Sequence, residues 1–180
     1  KEQIIICPNG IPEITEKEQH FERNNDVPQL LFLSNLIPSK GVYTLLDACK
    51  ILKDKGCQFV CNFIGGESKE ITKDVFEKAV EERGINDAVI YHGPKYEKDK
   101  ISYFTNSDIF VFPTFYNNEC FPLVLLEAMQ YKLPLVTTDE GGIADIVQNN
   151  YNGYICGCKN HMSLAKAIED LLVDKQKRIE

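Results

Sequence analysis

The chain has 180 residues, 43% of them apolar and 26% charged, and carries a formal net charge of −7. That is the size and composition of one soluble globular domain with a core of its own. The acidic balance excludes a nucleic-acid surface, which needs a basic footprint, while backbone amides and one or two cations can still hold a phosphate within an acidic protein.

Residues 4–7 are a short apolar run of strand character, closed by a turn with Pro8 and Pro12 around Asn9 and Gly10. The abrupt start leads us to expect the true N-terminus elsewhere. Residues 13–27 are polar and irregular, so 1–27 reads as a linker leading into the domain. Residues 30–34 are a continuous apolar strand of the buried, parallel-sheet type. The loop 35–41 then feeds an amphipathic helix over 42–55, with Leu45, Leu46, Cys49 and Leu52 on one face and Gly56 as its stop. A second strand, 58–64, ends in Gly65 and Gly66. The charged helix over about 69–83 is expected to turn Ile71, Val75, Phe76 and Val80 inward, with Gly84 after its end. A third strand, 88–92, is closed by Gly93 and Pro94, and a short helix over 97–105 leads to an apolar run at 107–112 closed by Pro113.

Beyond the central stretch described next, 133–138 reads as a strand, 143–148 as a short helix, 149–153 as a turn cluster and 154–156 as a last strand. The helix over 163–172 carries Leu164, Ala167, Ile168, Leu171 and Leu172 at helical spacing. Strands and helices alternate about six times, which predicts a doubly wound, Rossmann-like α/β domain with a mostly parallel sheet of about six strands. No internal repeat, low-complexity tract or second domain is evident. No apolar run reaches spanning length and no signal-peptide pattern opens the chain. Seven cysteines form no CxxC pair and mostly fall in apolar patterns, which fits a reducing cytosol better than a disulfide framework. Cys156 and Cys158 near His161 would need two further ligands to hold a metal, so no metal site is expected.

The stretch 115–145, FYNNECFPLVLLEAMQYKLPLVTTDEGGIAD, organises the chain. Glu119 and Glu127 stand with seven residues between them, and Phe121, Pro122, Leu123 and Val124 read as a helix start. Proline suits the first helical position, where its missing N–H had no partner. The amides of Leu123 and Val124 would then lie unbonded at the positive end of the helix dipole, a ready anion site. Glu127 follows about two turns on, roughly 12 Å at about 1.5 Å per residue. A ligand with a diphosphate in the middle and a hydroxyl-rich group at each end suits that layout. The stretch lies just beyond the carboxyl end of a strand, where open α/β sheets bind ligands, and the pair Gly141–Gly142 lets backbone come close to a ligand.

Each candidate has a plainer alternative. Lys40, where the first strand's loop meets a helix, can reach a phosphate or be a solvated lysine. Glu127 in its apolar helix must face a cleft or be satisfied by strong donors in a structural pair. Glu119 can be an acid serving the helix dipole. Gly65, Gly66 and Gly93 can line a nucleotide or simply make tight turns. His20 and His92 show no partner and receive no role. No DxD triad of the metal-binding kind is present.

ECFPLVLLEAMQYKLPLVTTDEGGIADIV resembles the signature of the retaining glycosyltransferases of family four, which have the two-domain GT-B fold. LFLSNLIPSKG at 31–41, FIGGE at 63–67, YHGP at 91–94, SDIFVFPT and YNGYIC follow in that family's order, so the resemblance covers nearly the whole chain. It implies a C-terminal domain that binds a UDP- or GDP-linked nucleotide diphosphate sugar, the hexosyl donor. By resemblance, Lys40 meets the diphosphate, Glu119 lies near the transferred sugar, and Glu127 accepts hydrogen bonds from the ribose hydroxyls. Asn35, Gly41, Gly66, Gly93, Phe121, Leu123 and Val124 would complete the donor cleft. Asn35 stands where the family carries an arginine, which removes one cation. The resemblance further implies no cofactor, with Lys40 and the amides stabilising the departing diphosphate instead of a metal. It places acceptor binding, for a saccharide or lipid-linked acceptor in polysaccharide biosynthesis, on an N-terminal domain absent here. This chain alone is then inactive, cytoplasmic, and peripheral at the inner membrane face only through the missing half. A nucleotide-sugar epimerase, a non-catalytic nucleotide-binding module and a phosphate-binding regulatory domain stay open as alternatives.

Overall fold

The computed structural model describes residues 9–14, 23 and 25–178. The run expected at 4–7 and most of the linker lie outside the described residues. Six strands form one parallel sheet: β1 (Gln29–Leu33), β2 (Val60–Ile64), β3 (Val89–Tyr91), β4 (Ile109–Phe112), β5 (Leu135–Thr138) and β6 (Gly153–Cys156). They lie in the order β3-β2-β1-β4-β5-β6, and every pairing is parallel. This is the doubly wound order, with its reversal between β1 and β4.

The central strands β1, β2, β4 and β5 are largely buried on both faces because they are mostly apolar at consecutive positions rather than alternate ones. Leu30 and Phe32 of β1 and Ile109 and Val111 of β4 turn to one face. There they meet α1 (Val42–Asp54), α2 (Lys73–Glu82) and α5 (His161–Val173). Leu31, Phe110 and Phe112 turn to the other face, against α3 (Glu97–Asn106) and α4 (Leu123–Gln130). Rings fill both layers: Phe63 lies 4.9 Å from each of Phe32 and Phe76, and Phe104 stacks on Tyr131 at 5.2 Å.

The α2 helix begins at Lys73 rather than near 69. The Ser68 hydroxyl accepts the amides of Glu70 and Ile71, a local turn that competes with helix, and Thr72 caps the first turn. Val75 is 42% exposed and does not face inward; the buried stripe is Phe76, Ala79 and Val80, at the i, i+3, i+4 spacing that Val75 misses by one position. The short helix expected at 143–148 is instead a 3-10 segment, Gly141–Asp145.

Candidate active site

The turn at the reversal of strand order is built from two loops bonded to each other. After β1 a 3-10 turn, Pro38–Lys40, ends at Gly41, whose φ of +83° is left-handed. A Cβ there would lie 2.1 Å from the Pro113 carbonyl oxygen, so only glycine lets this loop meet the one after β4. The Phe115 amide donates to the Ser39 carbonyl at 2.8 Å and closes the contact. Lys40 and Glu119, 79 positions apart in sequence, are thereby brought to 2.6 Å, Nζ to Oε2. The pair is largely shielded, with the Lys40 side chain 16% and the Glu119 side chain 10% exposed. The ammonium also lies 4.5 Å from the centre of the Tyr116 ring, a cation–π contact. Thr114, which no sequence pattern singles out, donates its hydroxyl to the same Glu119 oxygen at 3.1 Å.

Pro122 is the N-cap of α4 and not its first helical residue: its ψ of 103° is extended, and its carbonyl accepts the Leu125 amide at 3.1 Å. The helix therefore starts one residue later, and the Leu123 and Val124 amides donate to no acceptor among the described residues. Phe121 packs, half-buried, against the second core layer. The glycine pair lets two backbone segments come close. A Cβ on Gly141 would fall 1.4 Å from the Glu119 carbonyl oxygen, one on Gly142 2.2 Å from that of Cys120, and the Gly142 amide donates to Cys120 at 2.9 Å. The pair seats the backbone that presents Glu119.

Glu127 is ion-paired with Lys100 of α3, Oε1 to Nζ at 2.6 Å, with both side chains about one-quarter exposed. Lys100 also lies 5.9 Å from the Phe104 ring centre. Lys100 carried no signal in the sequence, because nothing local relates α3 to α4. Asn35 is exposed and its Oδ1 accepts the Gly66 amide at 2.9 Å, while the Leu36 amide donates to the Gly66 carbonyl. Gly65, with φ of +149°, approaches the Ser34 carbonyl too closely for any side chain and donates its amide to the Gly93 carbonyl at 3.1 Å. Asn35, Gly65, Gly66 and Gly93 thus knit the ends of β1, β2 and β3 together.

His92 has partners after all: Nε2 lies 2.8 Å from the Asn62 Oδ1, and the ring packs 4.9 Å from Tyr103. Burial, helped by nearby Lys95, lowers its pKa and keeps the ring neutral. His20 lies outside the described residues. The Cys158 thiol donates to Glu140 at 3.1 Å; burial, reinforced by that carboxylate, pushes its pKa up to about 12. Burial raises Cys156 to about 11. Among the described residues no three potential metal ligands cluster, and the six described cysteines are all unbridged. Two cavities lie elsewhere, one of about 710 Å³ beside α2 and β3 and one of about 610 Å³ at the amino ends of β5 and β6. Lys40, Glu119 and Glu127 line neither of these two.

The comparisons with known proteins bear on the family and the fold. The family profile described as "Glycosyl transferases group 1" matches residues 13–180. Over 162 residues the chain is 28% identical to the capsular polysaccharide biosynthesis glycosyltransferase CapM of Staphylococcus aureus, covering 90% of this chain and 41% of that protein. It therefore spans less than half the length of that relative. The crystal structure of the C-terminal domain of a glycosyl transferase group 1 family protein, LpcC of Francisella tularensis, matches with a TM-score of 0.76 at 21% identity, covering 92% of this chain and 91% of that one. HepE of Anabaena, solved in complex with UDP and glucose, matches with a TM-score of 0.74 at 23% identity, covering 84% of this chain and 40% of that one.

Proposed function

The chain belongs to the group 1 glycosyl transferases, and from that membership we propose that it is the C-terminal, donor-binding domain of a retaining transferase using a UDP- or GDP-linked sugar. The observation that carries the reading is the shielded Lys40–Glu119 pair at the β1/β4 reversal, beside the unbonded amides of Leu123 and Val124. An arriving diphosphate draws Lys40 away from Glu119, since an anion of higher charge offers the ammonium a better partner. Lys40 and the two amides then lie where negative charge grows as the sugar–phosphate bond breaks, and they stabilise it without rearranging. Glu119, released, faces the sugar; Glu127 exchanges Lys100 for the ribose hydroxyls.

The UDP seen with HepE supports the uridine-linked option, and the name of CapM supports a saccharide acceptor in polysaccharide assembly, free or lipid-linked. Coverage of nearly all of the LpcC domain but under half of CapM supports a separate N-terminal domain that binds the acceptor. The unbridged cysteines support a cytosolic setting, and contact with the inner membrane face belongs to the N-terminal half; no helix among the described residues is long and apolar enough to cross a membrane. Asn35, which spends its acceptor on Gly66 where the family pattern has a cation, favours a second reading: a nucleotide-sugar epimerase or a nucleotide-binding module without transfer.

Calorimetry with UDP and GDP tests the proposal, using Glu127→Ala beside the wild type. One nucleotide is expected to bind, and the variant to lose ~1.5–3 kcal/mol, the range for hydrogen bonds to a charged acceptor. Robust sugar transfer by the 180-residue chain alone would refute the division of labour.

A further inference from the structure

We propose that Thr114 is the positioning residue for Glu119, holding its carboxylate in place when Lys40 turns to an anionic ligand; the inference rests on the donor-binding reading above. Thr114 is fully buried at the end of β4. Its carbonyl accepts the Thr138 hydroxyl at 2.5 Å, which ties it to β5. Its own oxygen accepts the Tyr116 amide at 3.2 Å. The hydroxyl has one proton and two acceptors in range, Glu119 Oε2 at 3.1 Å and the Ser39 carbonyl at 3.3 Å. Ser39 already receives the Phe115 amide at 2.8 Å. Glu119 is charged and almost buried, so the proton is worth more there.

Two side-chain donors meet the Glu119 carboxylate among the described residues, Lys40 and Thr114, and both meet Oε2. Oε1 is left to a ligand. Once Lys40 swings to a diphosphate, Thr114 is the donor that remains, and a shielded carboxylate without donors would turn towards water. The hydroxyl thus fixes which oxygen of Glu119 faces the sugar. It contributes nothing to the nucleotide itself.

The experiment compares Thr114→Val, which keeps the shape and removes the proton, with Thr114→Ser, which restores it, and with Thr138→Val, which removes the neighbouring buried bond without touching Glu119. Thr114→Ala replaces the valine variant if that one does not fold. The first readout is the carbon resonance of the Glu119 side-chain carboxylate at neutral pH, assigned by its loss in Glu119→Gln. The second is the affinity for UDP-glucose against that for UDP. Thr114→Val is expected to shift the resonance and to weaken UDP-glucose roughly tenfold with UDP unchanged, at the lower end for a hydrogen bond to a charged group. Thr114→Ser should behave as wild type in both, and Thr138→Val should leave the UDP-glucose to UDP ratio alone. An unmoved resonance in Thr114→Val, no rescue by serine, or equal weakening of UDP and UDP-glucose would overturn the proposal. If the wild type binds neither probe, the donor-binding reading fails separately, and the resonance with its serine rescue decides the role of Thr114.

Discussion

Replacing Gly141 by alanine tests how closely the site depends on backbone contact. The residue has φ of +55°, a left-handed conformation that costs a residue with a Cβ about 1–2 kcal/mol. The new carbon would sit 1.4 Å from the Glu119 carbonyl oxygen, so one of the two segments must retreat by about 1.6 Å to reach even 3.0 Å. That retreat breaks the neighbouring bond from the Gly142 amide to Cys120, worth about 1 kcal/mol net, and adds strain on top. A destabilisation of at least about 3 kcal/mol follows, a large part of the ~5–15 kcal/mol typical of a domain. For a chain of this length it lowers Tm by roughly 6–12 °C. Gly84→Ala is the control, because φ is +63° there but nothing lies within 4 Å of a built Cβ. It should show the left-handed cost alone, about 1–2 kcal/mol. Urea unfolding of both variants, with UDP-glucose binding measured alongside, separates the contributions, and Gly141→Ala should also lose UDP-glucose affinity as Glu119 is displaced from where it faces the sugar. Equal destabilisation by the two alanines, with UDP-glucose affinity intact, would refute the reasoning.

Lys100→Met should cost only about 0.5–1 kcal/mol in urea unfolding, because its pair with Glu127 is partly solvated; a loss above ~2 kcal/mol would make the pair a structural post. His92 is held neutral in the fold by burial and then by Lys95, so its native pKa lies below that of a free imidazole, about 6.5. The unfolded chain takes up the proton first, so stability is full above about pH 6.5 and falls as pH drops through the lower native value. His92→Gln should flatten that loss in thermal melts between about pH 7 and about pH 5, and an unchanged slope would count against it. With iodoacetamide at about pH 8, the exposed Cys120 should be modified at least about tenfold faster than Cys158, whose thiol is held protonated. Peptide mass spectrometry reads the ratio.

The sheet was legible because its central strands are apolar without alternation and glycine or proline closes several of them, as Gly65 does β2 and Pro113 does β4, two signals that need no tertiary knowledge. Helix starts were less so: Ser68 and Pro122 draw hydrogen bonds that delay α2 and α4 by a few residues or one, and such local competition has no periodicity to betray it. Lys40, Glu119 and Glu127 stood out in the sequence through their place beside strand ends and in an apolar helix. Their partners did not, since Thr114 and Lys100 owe their roles to side-chain geometry across elements. The glycine pair illustrates the limit well: the sequence announces a close approach, and only the fold names Glu119 and Cys120 as what is approached.

The strand order also sets a schedule for the nascent chain. As synthesis proceeds, β1, β2 and β3 can pair in turn on one flank, but the other edge of β1 stays uncovered until β4 has emerged. During that interval Leu30 and Leu31 present an open apolar strand edge, the kind of surface on which other chains aggregate. Long-range parallel pairing is slow to form, so the Lys40 loop is finished early and waits for Glu119, 79 positions later. A ribosome stalled between them would leave a half-sheet dependent on chaperones, and the ability to meet an anion would arrive only with the second half.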